Sequence, residues 1–111
     1  MRVVLCTTPS DDAEKITKIL LGEMLVACVN IIPKVQSHYR WKGEICHDEE
    51  SLLIIKTKSD LIQTLIKRIN EIHPYDTVEI IALPITEGDN KYLDWINNMT
   101  SPSIEDPPRQ N

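Results

Sequence analysis

Apolar and polar positions alternate between two periods along this chain. Residues 2–7, "RVVLCT", are mostly apolar and predict a strand near the centre of a sheet. Ala13, Ile16, Ile19 and Leu20 then fall on one face at helical spacing. Ser10 or Asp11 is placed to cap that helix, and Asp11 with Glu14 has capping-box spacing. Gly22 is expected to end it. Residues 25–32, "LVACVNII", predict a second strand, with Pro33 as a bend or bulge. "VQSHYRW" continues in extended form to a tight turn at Lys42-Gly43, where the glycine supplies positive φ. "EICHDEESLLIIKT" returns as a long third strand. Residues 60–73 predict a second helix capped by Ser59 or Asp60, with Ile62, Leu65, Ile66, Ile69 and Ile72 or His73 as its inner stripe. Pro74 ends that helix. "TVEIIALPI", 77–85, is a fourth strand, and Tyr92, Leu93 and Ile96 mark the inner face of a short final helix.

The order is β-α-β-β-α-β plus one helix, which predicts an α+β, ferredoxin-like βαββαβ sandwich with both long helices on one face of a sheet. A chain of 111 residues has nothing left to cover the other face, which argues for an oligomer. The hairpin formed by the second and third strands is too long for so small a domain. Its base is apolar and its tip, "SHYRWKGEICHDE", is polar and aromatic, so the tip is expected to pair with another subunit. The domain is expected to span residues 1–99. Residues 100–111 carry three prolines and little apolar content, and read as a disordered tail.

Composition narrows the function. With 12 basic and 17 acidic residues the net charge is −5, and the longest basic run is Lys67-Arg68. That balance is far from the basic stripe that nucleic-acid phosphates require, and there is no basic amphipathic helix for an anionic membrane. No apolar stretch approaches the roughly 20 residues of a transmembrane helix. The three cysteines, Cys6, Cys28 and Cys46, are an odd set without CxxC spacing. With no secretory signal at the N-terminus, reduced thiols and a cytoplasmic location are the expectation.

Enzyme signatures are absent from the sequence: there is no GxSxG elbow, and three glycines make neither a P-loop nor a GxGxxG turn. A non-enzymatic role is therefore expected. Asp48-Glu49-Glu50 read as a solvated hairpin edge. Cys46 and His47 are neighbours on an extended segment, so their side chains diverge, and Cys28 reads as packing in an apolar strand. Cys6 closes the first strand and His73 closes the second helix. Two readings of His73 stay open. A helix C-terminus favours a cationic histidine, whereas a metal needs neutral imidazole. Spacing does not bring Cys6 and His73 together, because the first and fourth strands of such a sheet need not be neighbours.

Several stretches together resemble the CutA family, the divalent-cation tolerance proteins: "VVLCTTPS", "ACVNIIP", "SHYRWKGEI", "LLIIKT", "HPYDTVEI", "ALPI" and "YLDWI", in family order over about residues 2–97. The resemblance implies a ferredoxin-like fold and a tight homotrimer whose long hairpins pair between subunits. It implies a role in tolerance to copper and other divalent metals, with Cu2+ the first candidate ligand. The family's "VLCT" cysteine falls on Cys6 and its "HPY" histidine on His73. Where some members have a second histidine this chain has Ile72, and where the usual pattern has proline it has Val78. A soft thiolate with one imidazole suits copper better than magnesium or calcium. Tyr39, Trp41, Tyr75 and Glu79 are expected to shape a cleft between subunits. The family is also similar in architecture to the PII signalling proteins, so the alternative is a PII-like scaffold whose cleft takes a small effector or a protein partner.

Overall fold

The computed structural model describes residues 1–100. β1 (Arg2–Thr8) has hydrogen-bonded neighbours on both edges: β3 (Glu44–Thr57) on one side and β4 (Ile80–Pro84) on the other. β2 (Cys28–Trp41) pairs with the outer edge of β3, so the strand order is β2-β3-β1-β4, antiparallel throughout. This is the ferredoxin-like arrangement. The first and fourth strands, whose adjacency spacing left open, are neighbours, with Cys6 opposite Ile80.

Alternation explains which side is core. Val4, Cys6 and Thr8 of β1 and Leu53, Ile55 and Thr57 of β3 are buried under α1 (Ser10–Gly22) and α2 (Ile62–Ile72). Ala13, Ile16 and Leu20 from α1 and Leu65 and Ile69 from α2 complete one cluster. Each fully buried Leu or Ile contributes about 1.5–3 kcal/mol relative to exposure, so this small set carries most of the fold. The opposite face is open. There Ile81, Leu83 and Ile32 are half exposed, beside the partly buried Val3, Leu5, Leu52 and Ile54.

The element ends differ from expectation in ways the backbone explains. α1 starts at Ser10 with Pro9 in the capping position, and no side chain caps it; the first turn closes through Asp12 N–H to the Pro9 carbonyl, 3.0 Å. Gly22 is the last helical residue and not the left-handed cap. Met24 takes that role at φ 60°. Leu25 N–H donates to Leu20 O (3.1 Å) and Met24 N–H to Leu21 O (3.0 Å), the paired bonds of a Schellman ending. Leu20 and Leu25 meet in the core beneath it and hold the non-glycine residue in place. A 3₁₀ turn, Ser59–Leu61, precedes α2, and His73 lies just outside the helix in extended geometry. The second and fourth strands begin at Cys28 and Ile80, later than their apolar runs. α3 (Asn90–Met99) is capped by the Asp89 carboxylate, which accepts from Tyr92 N–H at 3.0 Å. The tail expected over 100–111 falls outside the described residues except for Thr100, which caps the C-terminus of α3.

The long hairpin forms as expected. β2 and β3 run in register from Cys28–Lys56 to Trp41–Glu44, with one bulge where Pro33 and Lys34 stand against a single residue of β3. Lys34 takes φ 61° there. At the tip both Lys42 (φ 50°) and Gly43 (φ 80°) are left-handed, the geometry of a two-residue turn whose twist matches its strands. β1 covers only Ser51–Thr57 of β3, so residues 44–50 pair with β2 alone and project beyond the domain. The described chain accordingly extends 53 × 28 × 21 Å.

Candidate functional site

The site begins where β1 ends. Thr7 lies one residue beyond the last β1–β4 pair, and its carbonyl oxygen is the meeting point of two predicted residues. Cys6 Sγ–H donates to it at 3.7 Å, a weak thiol contact. His73 Nε2–H donates to it at 2.8 Å. His73 Nδ1 in turn accepts the backbone N–H of Tyr75 at 3.1 Å. A carbonyl only accepts and a backbone N–H only donates, so this pattern assigns a neutral imidazole with the proton on Nε2. Pro74 makes the local turn possible: it ends α2, sends His73 into extended backbone, and brings Tyr75 N–H back onto the ring. The His73 and Tyr75 rings then lie with centroids 4.8 Å apart, tilted by 56°.

Cys6 is fully buried among Val4, Leu53 and the helices. Burial pushes its thiol up from 9.0 to about 12, and the carboxylates of Glu79 and Glu50 add to the rise. It is therefore a thiol at neutral pH. The structure thus brings Cys6 and His73 onto one carbonyl, with the thiol protonated and both imidazole nitrogens engaged.

The other four predicted residues, Tyr39, Trp41, Tyr75 and Glu79, line a single concavity of about 790 Å³. It lies between the hairpin overhang and the segment 75–79, and Thr7 forms part of its wall. Asp48, Glu50, Asp76 and Glu79 face it and its lining contains no Lys or Arg. The Tyr75 hydroxyl donates to Glu50 Oε2 at 2.8 Å, and the Tyr39 hydroxyl donates to Asp48 Oδ2. Both phenols are held protonated. Tyr75 is pushed up by burial and by Glu50, and Tyr39 to about 12 by its bond to Asp48.

Asp48 and Glu50 are cleft residues that the sequence reading placed on a solvated edge. Glu50 is only 6% exposed. The signal was the period of two: Asp48 and Glu50 share one face of β3, while Glu49 points to the other, where it accepts from Gln36. Among the described residues no three His, Cys, Asp or Glu side chains are grouped closely enough to hold a metal ion. No helix of the described chain is long and apolar enough to cross a membrane.

A ferredoxin-like sheet with an overhanging hairpin and an acidic, aromatic cleft at its root defines a class of small α+β proteins with known relatives. The sequence profile described as "CutA1 divalent ion tolerance protein" matches residues 2–99. The "Divalent-cation tolerance protein CutA" of Thermus thermophilus is 48% identical over 99 residues, covering 88% of this chain and 96% of its own length. "Protein CutA, chloroplastic" of Arabidopsis thaliana is 46% identical, but this chain spans only 54% of its length. Among solved structures, the Thermus thermophilus Cut A1 protein superposes with a TM-score of 0.88 at 48% identity, covering 91% of this chain and all of that one. CutA1 from Oryza sativa superposes with a TM-score of 0.89 at 42% identity, covering 92% and 94%. The chain belongs to the CutA1 divalent ion tolerance family. The family is described by tolerance to divalent ions and not by a reaction. The PII-like alternative draws no support from these relatives.

Proposed function

We propose that this protein serves in divalent-cation tolerance as a cytoplasmic homotrimer that takes up divalent metal ions, copper first, and catalyses no reaction. The observation that carries the reading is the cleft: four carboxylates and no Lys or Arg in one concavity, which favours cations. Cys6 and His73 meet behind it, at the carbonyl of the wall residue Thr7. Ligation by this pair costs the thiol proton and both hydrogen bonds of His73, so the site is weak and selective for a soft, thiophilic ion. Trimerisation is supported by the open apolar face around Ile81 and Leu83 and by the unpaired overhang of the hairpin. In a trimer Tyr39, Trp41, Tyr75 and Glu79 would line a cleft between subunits.

Native mass spectrometry with added Cu2+ tests both parts. A trimer that takes up copper, with uptake reduced in both Cys6→Ala and His73→Ala, is the expected result. A monomer, or uptake unchanged in both variants, would overturn the corresponding part.

A further inference from the structure

The chain has three histidines. One is locked on Thr7; the other two face each other on the hairpin overhang. His38 and His47 are direct cross-strand partners. Their rings stack with centroids 4.4 Å apart and planes inclined by 21°. Opposed side chains of an antiparallel pair have Cβ atoms about 4.5–5.5 Å apart. Two imidazoles at that spacing can converge on one ion, each at about 2.0–2.1 Å. Both side chains are exposed, so the rings can pivot out of the stack without disturbing any core packing.

The surroundings of His47 resemble the outer shell of a metal ligand. Its Nε2–H donates to Gln36 Oε1. An amide oxygen only accepts, so in the neutral ring this bond holds the proton on Nε2 and the lone pair on Nδ1. The Gln36 amide then donates to Glu49 Oε1 at 3.3 Å and to the Lys34 carbonyl at 3.5 Å. Ligating histidines are oriented in this way, the second ring nitrogen donating to an oxygen that is itself tied to a further group. The pair also keeps clear of the open apolar face. His47 follows the alternation of Leu53 and Ile55, which face the helices, whereas Leu52 and Ile54 face the open side. Covering the open apolar face therefore involves the opposite side of β3 from His47.

We propose that His38 and His47 form a two-imidazole chelate for a first-row divalent transition cation, with water completing its coordination. Imidazole selects the copper, zinc and nickel class, and Mg2+ and Ca2+ prefer oxygen ligands. The proposal adds a site at the rim of the cleft, which His38 lines, and does not rest on ligation by Cys6 or His73.

The test is a Zn2+ titration of the full chain, followed by NMR of the histidine ring signals and by calorimetry. The His38 and His47 signals should move together and saturate at one ion per chain. His38→Gln and His47→Gln should each weaken binding roughly tenfold or more, since the second ligand acts at high effective concentration. Glu14→Gln, at an exposed carboxylate on α1, should leave that affinity unchanged, and Mg2+ should move neither ring. Both residues are exposed, so the variants keep the fold. Movement of one hairpin ring only, or unchanged affinity in both hairpin variants, overturns the proposal. Movement of His73 alone overturns it while supporting the Cys6–His73 reading. No ring response at all overturns the hairpin proposal.

Discussion

His73 and the His38–His47 pair carry the same side chain in opposite circumstances. His73 is 7% exposed, and each of its ring nitrogens has a backbone partner. It behaves as a structural bolt between the end of β1 and the start of the segment leading to β4. His38 and His47 are exposed, and their described partners are one another and a side-chain amide. What separates the two is the cost of freeing a lone pair. For His73 that cost includes unsatisfied buried backbone groups. For the hairpin pair it is an exchange with water.

The largest expected effect tests how tightly the buried neighbourhood is held. The folded state keeps the Cys6 proton until about pH 12, while the unfolded chain loses it near the ordinary value of 9.0. The unfolded state therefore binds fewer protons above pH 9. Stability contributed by the buried thiol is complete below that pH and is lost at roughly 1.4 kcal/mol per pH unit towards 12. Denaturant melts of wild type and Cys6→Ala across pH 8–11 should show a steeper alkaline decline in the wild type. Equal slopes would mean that the thiol is not sealed. Next in size, His73→Ala removes two hydrogen bonds, leaving the Thr7 carbonyl only its weak Cys6 thiol contact and the Tyr75 N–H without its ring partner, which should cost about 2–3 kcal/mol. A loss below about 1 kcal/mol in chemical denaturation would mean that water replaces the ring, and that His73 is freer to ligate than its geometry indicates. Smallest, His38→Ala should change metal-free stability by no more than about 0.5 kcal/mol. A larger loss would make the stacked pair a structural element and blur the contrast with His73.

Much of this was legible in the chain. The helical stripes Ala13-Ile16-Leu20 and Leu65-Ile69 and the alternating strands led to the right element order and fold, because burial of one face imposes its period on the sequence. Tyr39, Trp41, Tyr75 and Glu79, to which the family resemblance pointed, line one concavity within the single chain. Gly22 misled because the left-handed position fell two residues later, at Met24, where the packing of Leu25 against Leu20 decides the ending. Asp48 and Glu50 misled because an acidic run reads as solvated, whereas the segment 75–79 folds over Glu50 and supplies a tyrosine hydroxyl to it.

By itself, then, the sequence determined the elements, their order, the apolar face of each, and the length of the hairpin, since all of these follow from local periodicity and turn chemistry. Only the tertiary structure decided that β4 lies beside β1, and hence that Cys6 and His73 share the carbonyl of Thr7. The two-residue turn at Lys42-Gly43 already sets His38 against His47, but the tertiary structure alone decided the burial that holds one histidine closed while leaving two open. The physical reason is that strand adjacency and desolvation depend on groups distant in the chain, so no local pattern encodes them on its own.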